Sequence, residues 1–286
     1  MARIKIVTDS TADIPPALLK KYDISFIPLK VYFAEKCYYE DVDLKPTEFY
    51  QKLATFEGLP STSQPSPGEF YEFYKALTQD GSSVISIHIS SLMSGTSQSA
   101  RIAASLLKDR EITVVDSRLV SFALGLVVIA AAKAAKMGKN KAEIMQIIET
   151  MMENVQTFFV VDTLEYLEKN GRIGKASSLL GTMLNLKPIL TFEDGLIAPY
   201  EKVRGKGKAL EQIMKTAKNY WQKHGELRCF VFHAYNFEEA VRFKEKVKDE
   251  LNCGEIMIGD IGAVVGTHAG PGIMALFFYD KKFEVS

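Results

Sequence analysis

The sequence predicts an α/β chain in two parts, a parallel-sheet α/β domain over residues 1–155 packed on an α+β domain over residues 156–286. Three observations carry this. Up to about residue 155, short β-rich runs alternate with helical segments, the signature of a parallel sheet covered by helices. Beyond it strand-like runs dominate, and the Asp194-Gly195 pair between two of them is a hairpin signal. The 286 residues also exceed the roughly 150 of a typical domain, and a composition of 47% hydrophobic and 24% charged residues is that of a globular chain with a sizeable core. No long Gly/Ser linker separates the parts, so they are expected to pack with a cleft between them.

Taken in order, residues 3–8 (RIKIVT), 24–33, 83–89 (SVISIHI) and 112–115 are the first strands. Helices are expected at 46–56, 67–79 and 96–107, and Ser66, Pro67 and Glu69 supply the second with an N-cap, a proline at the first helical position and a capping-box acid. Residues 121–137 are apolar on most of their surface and fit a buried helix, and 141–154 carry apolar residues at helical spacing. In the second half, 158–161, 189–192, 196–200, 229–233, 255–258 and 274–279 are strands. Helices fit 208–222 and 237–251, the latter begun by Asn236 with Glu239.

Lysine plus arginine, 35, equals aspartate plus glutamate, 35, so the long-range positive field that non-specific nucleic-acid binding needs is missing. The longest apolar run, 119–132, is too short to span a bilayer, which takes about 20 residues, so no stable membrane insertion is expected. With no secretory-type apolar segment after Met1, the expectation is a cytoplasmic protein. Cys37, Cys229 and Cys253 form no C-x-x-C pair and are expected to be three buried thiols. The four histidines lack metal-ligand spacing, and neither a nucleophile elbow nor a phosphate-binding loop is present: Leu92 and Thr96 flank Ser94 where glycines are needed, and Ala176 follows Lys175. No catalytic residue, metal or cofactor is assigned.

Polar clusters end three of the early strands, at Asp9-Ser10-Thr11, from Ser90 to Thr96, and at Asp116-Ser117. In open α/β sheets ligands sit beyond the carboxyl ends of the strands. The Ser90 to Thr96 loop precedes a helix, so its amides with the Ser94 and Thr96 hydroxyls suit an anion; a capped loop that binds nothing fits equally well. His268 stands between Gly266-Thr267 and Gly270-Pro271-Gly272, a backbone that permits close approach, and is either a ligand contact or a satisfied structural residue. The run from Lys202 to Lys208 puts four cations on a glycine-loosened loop, either a solvated face or a surface for an acidic partner or a phosphate.

Six motifs in order, VTDSTADIP, TSQPSPGEF, ISSLMSGTSQSA, VVDSRLVSFALG, LEYLEKNGRIGKASSLLGTMLNLKPIL and HAGPG, make the chain resemble the DegV family of bacterial fatty-acid-binding proteins over essentially its whole length. The resemblance implies a DegV-like fold of the EDD type with one long-chain fatty acid, such as palmitate, held between the domains. It places the carboxylate on Thr62 of TSQPSP, on Ser94 and Gly95 of the SGT loop, and on His268 of HAGPG. Met93 stands where many relatives have leucine, an apolar exchange that leaves the loop backbone unchanged.

The chemistry is coherent: a carboxylate only accepts, the two hydroxyls and an imidazole N–H donate, and no Lys or Arg is required. Tail burial contributes about 0.8 kcal/mol per CH2, or roughly 11 kcal/mol for about fourteen methylenes, against about 1.5–3 kcal/mol for each hydrogen bond to the charged head. The resemblance further implies a carrier that presents the acid to a separate fatty acid kinase subunit. Arg172 of GRIG and Arg204 of the KVRGKGK run sit on glycine-rich segments without apolar periodicity and are expected near the surface, either as docking residues for that partner or as plain solvated charges. Two alternatives stay open. A related fold serves as the substrate subunit of dihydroxyacetone kinase, where a histidine holds a small keto compound, and a scaffold with no ligand is the third reading.

Overall fold

The computed structural model describes residues 3–181, 186–251 and 253–285. Residues 182–185 of the fifth motif lie outside the described residues. The chain begins with Ile4–Asp9 (β1), Pro16–Tyr22 (α1), Ile24–Ile27 (β2), Lys30–Phe33 (β3), Lys36–Tyr39 (β4), Pro46–Thr55 (α2) and Ser61–Ser63 (β5). It continues through Pro67–Leu77 (α3), Ser83–His88 (β6), Thr96–Leu106 (α4), Ile112–Asp116 (β7), Phe122–Lys136 (α5) and Lys141–Asn154 (α6). After these come Gln156–Val160 (β8), Glu165–Lys169 (α7), Leu186–Glu193 (β9), Leu196–Arg204 (β10), Lys206–His224 (α8), Leu227–His233 (β11), Phe237–Leu251 (α9), Met257–Asp260 (β12), Ala263–Ala269 (α10) and Met274–Asp280 (β13).

The expected parallel sheet is present as β2-β1-β6-β7, with every pairing parallel. Every residue of β6 is buried, as befits a central strand covered on both faces. A mixed sheet of order β10-β9-β8-β13-β11-β12 follows, in which only β11 and β12 pair in parallel. Helices α3 and α4 cover one face of the parallel sheet, through Phe70, Tyr74, Ala100 and Ala103. Helices α8 and α9 cover the outer face of the mixed sheet, through Ile213, Ala217, Phe243 and Val247. Between the sheets one continuous apolar cluster runs from Ile6 and Ile87 through α5 to Phe159 and Phe277. Its centre is a ring stack, Phe122 lying 4.3 Å from Phe232.

The Ser66 hydroxyl accepts from the Glu69 N–H at 3.2 Å while the Glu69 carboxylate accepts from the Ser66 N–H at 2.8 Å, closing the capping box of α3. Asp194 and Gly195, with φ of 52° and 82°, make the two-residue turn joining β9 to β10. Helix α5 is buried almost throughout.

Several expectations need correction. The stretch 24–33 is two strands in different sheets: Pro28, which lacks an N–H, stands between β2 in the parallel sheet and β3 in a three-stranded antiparallel sheet of order β4-β3-β5. Cys37 is exposed, because it lies on the edge strand β4, whereas Cys229 and Cys253 are buried. The run 202–208 is no loop: Lys202 to Arg204 pair with β9, and α8 starts at Lys206.

Candidate functional site

A cavity lies between the two sheets, about 760 Å³ when the open solvent at its mouth is counted. Its wall is mainly apolar, contributed by Ile89, Val120, Phe159, Phe192, Ile197 and Phe277 among others, so it draws on both sheets. Among the described residues, six polar or charged ones interrupt it, Thr62, Ser94, Ser121, Thr157, Arg172 and His268; Thr62, Ser94, Arg172 and His268 come from four separate segments. Thr62 is on β5, Ser94 precedes α4, Arg172 follows α7 and His268 is near the end of α10.

Thr62 and His268, 206 residues apart, are joined by a 2.8 Å hydrogen bond between Thr62 Oγ1 and His268 Nε2. His268 Nδ1 is buried without a partner. Burial, aided by the positive charge of Arg172, pushes the His268 pKa down to about 4, so the ring is neutral at pH 7. A neutral imidazole has one N–H, which fixes the donor arithmetic. If Nε2–H donates to Thr62, the Thr62 hydroxyl is free to donate onward and Nδ1 is a bare acceptor; a carboxylate then meets the histidine through the threonine. Only the imidazolium donates from both nitrogens.

The Ser94 hydroxyl shares a 2.9 Å hydrogen bond with that of Thr96. No side chain caps α4, so the positive end of its dipole is unopposed beside Ser94. Gly95 is not part of the cavity wall; a Cβ there would fall 2.4 Å from Gln64 Nε2, so its bare backbone lets the TSQ segment close on the SGT loop. Arg172 departs from the surface position expected of it: half-buried, it lines the cavity, donates from Nη1 to the Asn170 carbonyl at 2.6 Å and reaches the Met93 carbonyl at 3.4 Å. Arg204 is exposed at the end of β10 and does not line the cavity. Two residues on, Lys206 donates to the Gly272 carbonyl at 2.7 Å, so this strand end lies beside the HAGPG turn.

His268 sits in a seven-residue helix for which the sequence offers no periodic signal, and its N-terminus is held by two buried acidic side chains. Asp13 accepts from the Gly262 N–H at 3.1 Å and from the Ser121 hydroxyl, Glu40 accepts from the Val264 N–H at 2.7 Å, and the Tyr50 hydroxyl donates to the Ile261 carbonyl at 3.1 Å. A Cβ on Gly262 would stand 2.6 Å from an oxygen of each acid. Burial, reinforced by neighbouring acids, pushes both pKa values up, Glu40 to about 8 and Asp13 well above its usual range. The glycines flanking His268 face protein, since side chains on Gly266 or Gly270 would strike Tyr50 or Tyr166.

Of the three polar strand ends, only the Ser90 to Thr96 loop sends a hydroxyl into the cavity from its own tip; Asp9 to Thr11 serve structure. Asp9 accepts from His88 Nδ1 at 2.9 Å, and His88 Nε2 meets Ser86 Oγ at 2.7 Å. The connectivity is that of a serine-protease triad, but all three residues are fully buried, Tyr74 donates to Ser86 at 2.8 Å, and none lines the cavity. Among the described residues no cluster of His, Cys, Asp and Glu could hold a metal, and no helix is long and apolar enough to cross a membrane.

The profile of the DegV family, described as uncharacterised proteins, matches residues 3–281. DegV of Bacillus subtilis, solved as a fatty acid binding protein, is 35% identical with a TM-score of 0.91, covering 98% of this chain and 100% of that one. A fatty-acid-binding DegV family protein of Thermus thermophilus is 33% identical at a TM-score of 0.91, covering 97% and 99%. A stearic-acid-binding protein of Eubacterium ventriosum is 27% identical at 0.89, covering 98% and 99%. Matched from end to end in sequence and in fold, this chain belongs to the DegV family.

Proposed function

We propose that the protein binds one long-chain fatty acid in the inter-sheet cavity, with the carboxylate at Thr62, Ser94 and His268, and carries the acid rather than transforming it. The observation that carries this reading is the asymmetry of the cavity: hydroxyls and an imidazole from segments far apart in sequence converge on a pocket whose wall is otherwise mainly apolar. The fatty-acid-binding relatives support it.

The head group takes hydrogen bonds from the Thr62 and Ser94 hydroxyls, with the uncapped start of α4 behind them. Gly95 serves by letting Gln64 close the loop rather than by touching the ligand. Arg172 adds a positive charge at the same cavity, a contribution that comes after burial in holding the His268 pKa down. Tail burial supplies most of the affinity and the head group sets direction. A small keto compound would leave the apolar wall unfilled, which disfavours the reading as a dihydroxyacetone-kinase-type subunit.

In this account the carrier works in the cytoplasm and offers the acid to a separate fatty acid kinase subunit, with Arg204 on the exposed strand end as a docking residue and Arg172 bridging rim and cavity. The test is titration of palmitate, and of dihydroxyacetone as the competing ligand, into delipidated protein. Tight palmitate binding with no response to the ketone is expected; the reverse would overturn the reading.

A further inference from the structure

Among the described residues, the cavity wall carries a hydroxyl, that of Thr157, that makes no hydrogen bond. Thr157 lies near the start of β8, and strand alternation sets Thr157 and Phe159 toward the cavity, with Phe158 and Val160 in the cluster under α8 and α9. It pairs with Phe277 across the β8/β13 ladder. Phe277 is four residues along from Ile273, which closely follows the His268 helix, so Thr157 lies roughly 13 Å down the strand at about 3.3 Å per residue. The residue is 5% exposed, and its Oγ1 is buried without a hydrogen-bond partner. Its surroundings do not lack pairing: the Thr157 carbonyl accepts from the Thr191 hydroxyl at 2.8 Å, and Ser121, another hydroxyl on the cavity wall, is taken by Asp13.

A hydroxyl kept dry and unpaired is unfavourable, and a valine of nearly the same shape would fill the position without that cost. We propose that Thr157 is a specificity-determining residue whose hydroxyl pairs with an oxygen borne in the middle of the acyl chain, so that the cavity selects a mid-chain hydroxy fatty acid over the unsubstituted acid. A saturated chain packs against Thr157 and leaves it unpaired. A mid-chain hydroxyl gives it a donor and an acceptor, while an α-hydroxyl, held at the mouth, cannot reach it. The inference rests on the fatty-acid reading of the cavity.

The experiment measures the affinity of stearate, a mid-chain hydroxystearate and α-hydroxystearate for the wild type, Thr157→Val and Thr157→Ser. The wild type is expected to bind the mid-chain isomer about tenfold more tightly than the α-isomer. Thr157→Val should lose that preference while keeping or improving stearate affinity, and Thr157→Ser should retain it. Tight binding of stearate with equal affinities for the two isomers overturns the role of Thr157 alone, and needs only the wild type. A parallel change for all three ligands in Thr157→Val does the same. Failure of all three acids to bind the wild type overturns the fatty-acid reading itself.

Discussion

The hydrogen bond between Thr62 and His268 makes the two residues a unit with a limited supply of protons, which shapes what substitution should do. Thr62→Ala and Ser94→Ala are each expected to weaken fatty-acid binding by about 1–3 kcal/mol, the range for losing a hydrogen bond to a charged group, with little change in Tm of the ligand-free protein. Calorimetric titration checks this, and unchanged affinity in both variants would remove them from the site. His268→Ala should weaken binding of the acid more than of the matching fatty alcohol, which brings no charge. The pH dependence follows from the same ring. Its pKa is about 4 in the free protein, and a bound carboxylate raises it, so binding takes up a proton and affinity rises as the pH falls below neutral while the ligand stays ionised. His268→Ala should lose that rise. The motifs point to Thr62, Ser94 and His268 as head-group candidates, but no local pattern shows that Thr62 and His268 touch across 206 residues. Arg172 is half-buried although its glycine-flanked segment shows no apolar periodicity, and its Nε–H reaches the Met93 carbonyl across 79 residues.

Helix α10 shows how an element is held from outside itself. It has seven residues, and its first N–H groups are met by Asp13 from the turn after β1 and Glu40 from the end of β4. Because the folded protein raises the Glu40 pKa from 4.5 to about 8, the native state keeps a proton that the unfolded chain releases. Stability from this group is therefore greatest at low pH and falls as the pH rises from about 4.5 to about 8, with Asp13 adding in the same direction. Glu40→Gln should flatten that part of the Tm-against-pH curve; an unchanged slope would show that Glu40 does not carry it. Gly262→Ala, whose Cβ would lie 2.6 Å from both acids, should lower Tm and weaken fatty-acid binding together, by displacing the helix that bears His268. Helix α6 was readable from spacing, α5 from its apolar surface, and α3 and α9 from the residues at their starts. Helix α10 was not, because seven residues including a glycine give too little period, and the acids that fix it come from distant segments.

At the scale of the molecule, the alternation of strands and helices was enough to specify a parallel sheet, and the Asp194-Gly195 turn the hairpin beyond it. What stayed hidden was the small β4-β3-β5 sheet, whose strands have three or four residues, and the division of apolar residues between core and cavity, since Phe159 and Phe277 serve both. That sharing bears on the proposed boundary at residue 155. One apolar cluster joins Ile6 and Ile87 to Phe159 and Phe277, so residues 1–155 and 156–286 made separately are expected to unfold less cooperatively than the whole chain and to bind no fatty acid; full binding by either half would refute a shared site. For the kinase docking role, Arg204→Ala should keep its bound acid yet slow phosphorylation by the partner, most visibly at low salt where steering is strongest, and full turnover across a salt series would leave Arg204 a plain surface charge. The most direct test of the whole account is native mass spectrometry of the protein as purified. It should show a mass increment of one long-chain fatty acid per chain, lost when Thr62, Ser94 and His268 are all replaced by alanine. A wild-type protein that stays at its bare mass after incubation with palmitate would contradict it.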